Sequence, residues 1–273
     1  MIVAVAGWRG VGSTTAALLL ASAFAAQSAA DEDAAWLVEA DSAGGVLAGR
    51  MQLPAAALGG LEQLCFPPAG VGVDPAAVAA RRGTLSVMLA PADPFRADAC
   101  HRARQPLFES LACLDAPVVI DVGRVRVATP ARPLLERVDA VLVVTSPEVS
   151  SAVSTVEWLQ AAGRISSLDA VLDSVDLSVL MVDSPCGVAF PESTVRSELG
   201  DRLSAWLPWE PRTVDAVHLG MSIADRRLRR SRLAGAVVEL ARTMSHRYGD
   251  STPQASRSAS PTLRAMPAGE EIS

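Results

Sequence analysis

Met1-Ile2-Val3-Ala4-Val5-Ala6-Gly7-Trp8-Arg9-Gly10-Val11-Gly12-Ser13-Thr14-Thr15 is the stretch on which the reading of this chain turns. Ile2 to Ala6 is a short apolar run, and it ends in a turn punctuated by glycines. A long Ala/Leu-rich segment then opens at Ser13-Thr14-Thr15, residue types that cap helices. Strand, loop and helix in that order are what a phosphate-binding loop requires. Its template is G-x-x-x-x-G-K-[ST]. Gly7, Gly12 and Thr14 fit the template, but Ser13 stands in the lysine position. The backbone of a nucleotide site is expected here without its main cationic side chain.

Composition bounds the rest. A chain of 273 residues suits one large α/β domain or two small ones. Half the residues are apolar but only 4% are aromatic, so Ala, Val and Leu must build the core. The net charge of −6 argues against a surface coated for nucleic acid. There is no lysine: all 24 basic residues are arginine. No lysine from elsewhere in the chain, or from an identical subunit, can therefore enter the phosphate site. Cys65, Cys100, Cys113 and Cys186 show no C-x-x-C spacing and make no zinc signature, which leaves free thiols in a reducing cytosol. Arg9, the run Ala16 to Ala26 and Gln27-Ser28-Ala29-Ala30 imitate a secretory signal. A strand-like run precedes that charge and the glycines sit at motif spacing, so the segment reads as part of the fold and the protein as cytoplasmic.

Further along, residues 14–30 read as a helix apolar on every side, hence buried against a sheet. Ala34 to Val38 reads as a second strand that delivers Glu39 and Asp41 to its end. Asp74-Pro75 opens a helix to Arg82, with Asp74 as its cap. Thr84 to Leu89 is a strand, and residues 96–114 a helix with a basic face at Arg96, Arg102 and Arg104. Strands follow at Pro117 to Asp121, Ala140 to Thr145, Leu177 to Val182 and Arg202 to Leu207. Helices are expected over Val149 to Ala162, Pro191 to Leu199 and Ser222 to Met244. Val/Ile/Leu strands alternating with helices predict an α/β fold. It is a single doubly wound, mostly parallel sheet with helices on both faces. Its domain spans 1–248, and residues 249–273 form a disordered Ser/Pro/Ala-rich tail. Ligands bind beyond the carboxyl ends of such strands. The crevice should gather Gly10, Gly12, Asp41, Asp121 and Glu148.

In order, these segments resemble the ParA/MinD ATPases. Gly7 to Thr15 is similar to their deviant Walker A loop, G-K-G-G-V-G-K-T-T. Val38-Glu39-Ala40-Asp41 resembles their D-x-D segment, and Val118 to Gly123 their strand ending in D-x-G/P. Ala140 to Thr145 resembles the strand that follows, and Leu207-Pro208-Trp209-Glu210-Pro211 the loop bordering the adenine. Some actinobacterial relatives carry the segment seen here as Ala40 to Ala48. The resemblance implies ATP and Mg²⁺ as cofactors. Gly7, Arg9, Gly10, Val11, Gly12, Ser13, Thr14, Thr15, Pro208 and Glu210 would contact nucleotide. Thr14 and Asp121 would serve the metal, and Asp41 would activate water. It also implies an ATP-linked homodimer and a protein partner in partitioning, septum placement or a polar secretion apparatus. The family's signature lysine falls at Trp8 and the Walker lysine at Ser13, so a degenerate member with weak or lost ATP binding is expected. Two alternatives stay open: an active switch ATPase that uses Arg9 in place of lysine, and a nucleotide-independent scaffold.

The run Asp225 to Arg232 holds five arginines within seven residues. On a docked helix they form a solvated basic face. As a local positive field they could contact DNA, or an anionic membrane at its inner face.

Overall fold

The apolar runs become strands, and the strands join in one sheet. A computed structural model of the chain describes residues 1–7, 9–28, 33–54, 59–68, 72–125, 132–162, 175–185 and 188–249. The sheet strands are β1 (Ile2–Gly7), β2 (Ala35–Glu39), β3 (Ala80–Arg82), β4 (Leu85–Met88), β5 (Val118–Arg124), β6 (Ala140–Thr145), β7 (Asp176–Val182) and β8 (Leu203–Leu207). Their order is β3-β4-β2-β5-β1-β6-β7-β8. Every neighbouring pair is parallel except the β3–β4 hairpin. The Val/Ile/Leu runs are continuous because both faces of a parallel sheet are covered.

Alternation along the strands sorts residues between two cores. Val3, Val5, Leu37, Val119, Leu142 and Val144 face one side. Ala4, Ala6, Val38, Ile120, Val141 and Val143 face the other. The first side receives α1 (Ser13–Gln27), whose residues from Ala16 to Ala25 are all buried. A helix apolar all round needs cover on its outer flank too. The terminal helix (Arg232–Tyr248) supplies it through Leu233, Val237, Leu240, Ala241 and Met244, which recur at helical spacing.

Several boundaries differ from expectation, each for a local reason. Helix α1 starts at Ser13, and its N-cap is Gly12 rather than a hydroxyl side chain. Asp74 caps as expected by accepting from Ala76 N, but that helix ends at Val78. Arg81 and Arg82 instead pair with β4 as an antiparallel edge strand. The helix expected over 96–114 is two, Pro94–Arg102 and Arg104–Ala112. The break at Ala103 puts Pro106 in a first turn, where its missing N–H costs nothing. The helix expected from Ser222 is likewise split. A 3-10 turn (Arg226–Leu228) is capped by Asp225, and the helix proper starts after Ser231, whose Oγ accepts from Ala234 N. The expected tail lies outside the described residues from 250 onward. No described helix is long and apolar enough to cross a membrane.

Candidate functional site

β1 sits between β5 and β6, so three strand ends converge where its loop departs. The loop is tight: Val11 N bonds Arg9 O at 2.8 Å. Gly12 has φ +90, a left-handed conformation that side chains resist, and from there its carbonyl accepts Ala16 N at 2.9 Å. A Cβ on Gly7 would lie 2.8 Å from Arg9 O, so the loop folds back over a position that only glycine can fill. No side chain caps α1, and its first turn holds no acidic residue. The amides of that turn and the helix dipole form an open anion-binding end.

Three carboxylates stand beside it. Asp121, on β5, is completely buried. One of its oxygens accepts Gly123 N at 3.1 Å, and the Thr14 hydroxyl lies near enough to favour the charged carboxylate. Its Oδ2 has no partner. Burial, opposed by those hydrogen bonds and aided by the charges of Glu39 and Asp41, pushes its pKa up to about 7. Asp41 turns its own loop by accepting Ala43 N at 2.8 Å, and its carboxylate lies against the backbone of Gly123. Gly123 is left-handed, with φ +66, and a Cβ there would overlap that carboxylate. Glu39 is buried, and it accepts Val46 N at 2.6 Å, Leu47 N at 2.8 Å and Ala90 N at 3.2 Å. Burial raises its pKa against those bonds. Glu39 therefore fixes the glycine-rich segment after β2, and its work is structural.

The residues present fit a magnesium ion. Hydrated Mg²⁺ on phosphate needs few protein donors. Thr14 beside the unpartnered Asp121 Oδ2 provides a hydroxyl and a carboxylate at one point. Among the described residues no cluster of three or more His, Cys, Asp or Glu side chains could hold a metal by itself.

No family model and no curated protein matches the sequence. Solved structures do match the fold. The cell division ATPase MinD of Pyrococcus furiosus superposes with a TM-score of 0.66 at 18% identity, covering 90% of this chain and 98% of that one. The septum site-determining protein MinD of Pyrococcus horikoshii, complexed with Mg-ADP, gives 0.64 at 15% over 91% and 96%. A ParA family ATPase from Chlorobium tepidum gives 0.60 at 13% over 88% and 96%. The chain has the MinD/ParA P-loop fold.

Against the MinD/ParA pattern, the candidate residues fall into two groups. Gly7, Gly10, Val11, Gly12, Ser13, Thr14 and Thr15 form the loop and the helix start, with Asp41 and Asp121 beside them. Trp8, at the signature-lysine position, lies outside the described residues. Arg9 reaches to the helix Val149–Ala162, where its Nη2 donates to Ser154 Oγ at 3.0 Å. Glu148 begins that helix and accepts from Ser150 Oγ at 2.7 Å. Two arginines that sequence reasoning passed over approach the loop. Arg124, the last residue of β5, brings Nη2 to within 3.4 Å of a Cβ built on Gly10. Arg50 places Nη1 3.5 Å from Thr15 Oγ1. Arg124 stands three residues past Asp121, and Arg50 ends the short helix Leu47–Arg50 in the segment after β2; neither belongs to a motif.

Pro208 and Glu210 follow β8, two strands beyond β6, and Glu210 is occupied. Its carboxylate accepts Ser231 Oγ at 2.6 Å, Thr213 Oγ1 at 3.0 Å, Arg232 N at 2.9 Å and Leu233 N at 3.4 Å, so it caps the terminal helix. Partial burial would raise its pKa, but the bonds from Ser231, Thr213, Arg232 and Leu233 outweigh that and hold it below the ordinary value. A depressed carboxylate pKa stabilises the fold above the unfolded value near 4.3 and stops doing so as pH falls through the folded one. Glu210→Gln should therefore cost about 1 kcal/mol near pH 7, the scale of a lost cap. In urea titrations at a series of pH values, the gap to the natural protein should close below about pH 4. A gap that does not shrink as pH falls through the carboxylate range would refute the assignment. Arg226, Arg227, Arg229, Arg230 and Arg232 are exposed beside this cap, on the turn and the helix start.

Proposed function

We propose that this chain is a degenerate MinD/ParA-like protein that positions or regulates a partner machinery, with a weakened grip on ATP. The observation that carries this reading is a glycine turn into an uncapped helix start that lacks a lysine. The uncapped start of α1, the left-handed Gly12 and the Thr14–Asp121 contact are all present, while Ser13 fills the lysine position. The loop amides from Gly10 to Thr14 would orient the phosphates. Thr14 and Asp121 would hold Mg²⁺, which when bound neutralises phosphate charge. Asp41, close to Gly123, would face the terminal phosphate and its water.

Magnitudes decide between a working and a crippled switch. Removing one partner of a charged contact costs about 2–5 kcal/mol. At about 1.4 kcal/mol per tenfold, a micromolar affinity falls to about millimolar. Turnover suffers further, because phosphoryl transfer relies on positioned positive charge. The reading supports nucleotide-tuned association with a protein partner, and self-association of two copies when ATP is bound, more than rapid hydrolysis.

Calorimetric titration of the natural protein with Mg-ATP, followed by sedimentation with and without nucleotide, tests it. A dissociation constant from about 0.1 to a few millimolar is expected for a P-loop that has lost its lysine. Micromolar binding with sustained hydrolysis would replace this reading with an active ATPase.

A further inference from the structure

We infer that Arg124, reaching in from the end of β5, supplies the phosphate-directed positive charge that the loop lacks, and that the site therefore still takes a nucleoside diphosphate or triphosphate. This rests on the nucleotide reading above and goes beyond it by naming the cation. Four observations carry it.

First, the backbone delivers Arg124 to the loop. The β1–β5 register shifts between Val5 and Ala6, so that Val5 pairs with Asp121, Ala6 with Gly123 and Gly7 with Arg124. A bulge of this kind re-aims the side chains that follow it. Without the shift Arg124 would stand one position farther out, past the end of β1. Val125 N then bonds Gly7 O at 2.9 Å and ties the chain to the loop immediately after the arginine.

Second, the guanidinium is already in place. Its Nη2 lies 3.4 Å from a Cβ built on Gly10, so the guanidinium rests against the loop.

Third, its charge is uncommitted. Arg124 is exposed at the strand end, and among the described residues no carboxylate pairs with it. Among the described residues Arg50 is also without a carboxylate, and its Nη1 lies 3.5 Å from Thr15 Oγ1. Two guanidinium groups near an uncapped helix start add positive charge where an anion would bind. An arginine fork is well suited to phosphate oxygens.

Fourth, Asp121 Oδ2 is fully buried, unpartnered and next to Thr14. It marks the same point for a cation that accompanies a polyphosphate.

The test titrates Mg-ADP and inorganic pyrophosphate into the natural protein, Ser13→Lys, Arg124→Ala, Arg124→Lys, Arg9→Ala and Arg242→Ala. Thermal midpoints without ligand check that each variant folds. Arg124→Ala should weaken both ligands by about 10- to 100-fold, the range of a charge-assisted bond to phosphate. Arg124→Lys should recover part of the loss, and Arg242→Ala, on the outer surface of the terminal helix, none of it. If the natural protein binds and Arg124→Ala binds equally well, the inference fails while the nucleotide reading stands. If Arg9→Ala removes binding instead, the charge comes from the loop itself and the inference also fails. If neither the natural protein nor Ser13→Lys binds either ligand, the inference falls together with the nucleotide reading.

Discussion

Ser13→Lys binds Mg-ATP far more tightly than the natural protein: this is the expected result of restoring one charge to a cradle otherwise kept. Ser13 is the first residue of α1, half-buried, with its Cβ and Oγ 3.4 Å from where a Cβ on Gly7 would sit. Gly7 has none, so the root of a longer side chain has room. A buried phosphate–ammonium contact is worth about 2–5 kcal/mol, or about 30- to 3000-fold in affinity. Arg124 already lies beside the loop, which places the gain toward the lower end. The same lysine should slightly destabilise the empty protein, because a cation at a helix N-terminus opposes the dipole by about 0.3–1 kcal/mol. Tighter binding together with a lower melting temperature is therefore the signature. A variant that binds no better than the natural chain would mean that the first-turn amides do not receive phosphate.

Gly123→Ala should be the most damaging of the small substitutions. Its φ of +66 costs a residue with a Cβ about 1–2 kcal/mol. The new methyl would also overlap the Asp41 carboxylate, and overpacking of this kind adds about 1–3 kcal/mol. Together the expected loss is about 2–5 kcal/mol, read as a lower urea midpoint at unchanged slope. The two contributions separate in a double-mutant cycle. Asp41→Ala in the same chain removes the obstructing carboxylate and should return the overlap part, leaving the backbone part. Strict additivity of the two substitutions would show that Asp41 and Gly123 do not touch.

Much of this arrangement could be read from the chain. Glycine spacing, with a buried run on each side, specified the β1 loop. Val118 to Asp121 and Ala140 to Thr145 read as strands because a doubly covered sheet leaves no polar alternation to confuse them. Asp74-Pro75 declared its helix through capping chemistry that is local to four residues. What escaped was set by distant partners. Arg81-Arg82 looks like the end of that helix, and only the presence of β4 makes it an edge strand. Glu39 reads as a site acid, yet three backbone amides from two later segments claim it. Glu210 reads as part of an adenine loop, but its bonds go to residues twenty positions on. Arg124 acquires its place through a register shift between strands far apart in sequence, which no local pattern reports.

The burial of α1 has a consequence for how this protein is made. Its apolar flanks are sealed on one side by strands β5 and β2 and on the other by the helix Arg232–Tyr248. A chain emerging from the ribosome presents this segment about 200 residues before its last cover. Throughout that interval the most water-averse stretch of the protein has no native lid, and long-range pairing of this kind is slow to form. The cell must shelter that surface during synthesis, because exposed apolar faces on unfinished chains drive aggregation.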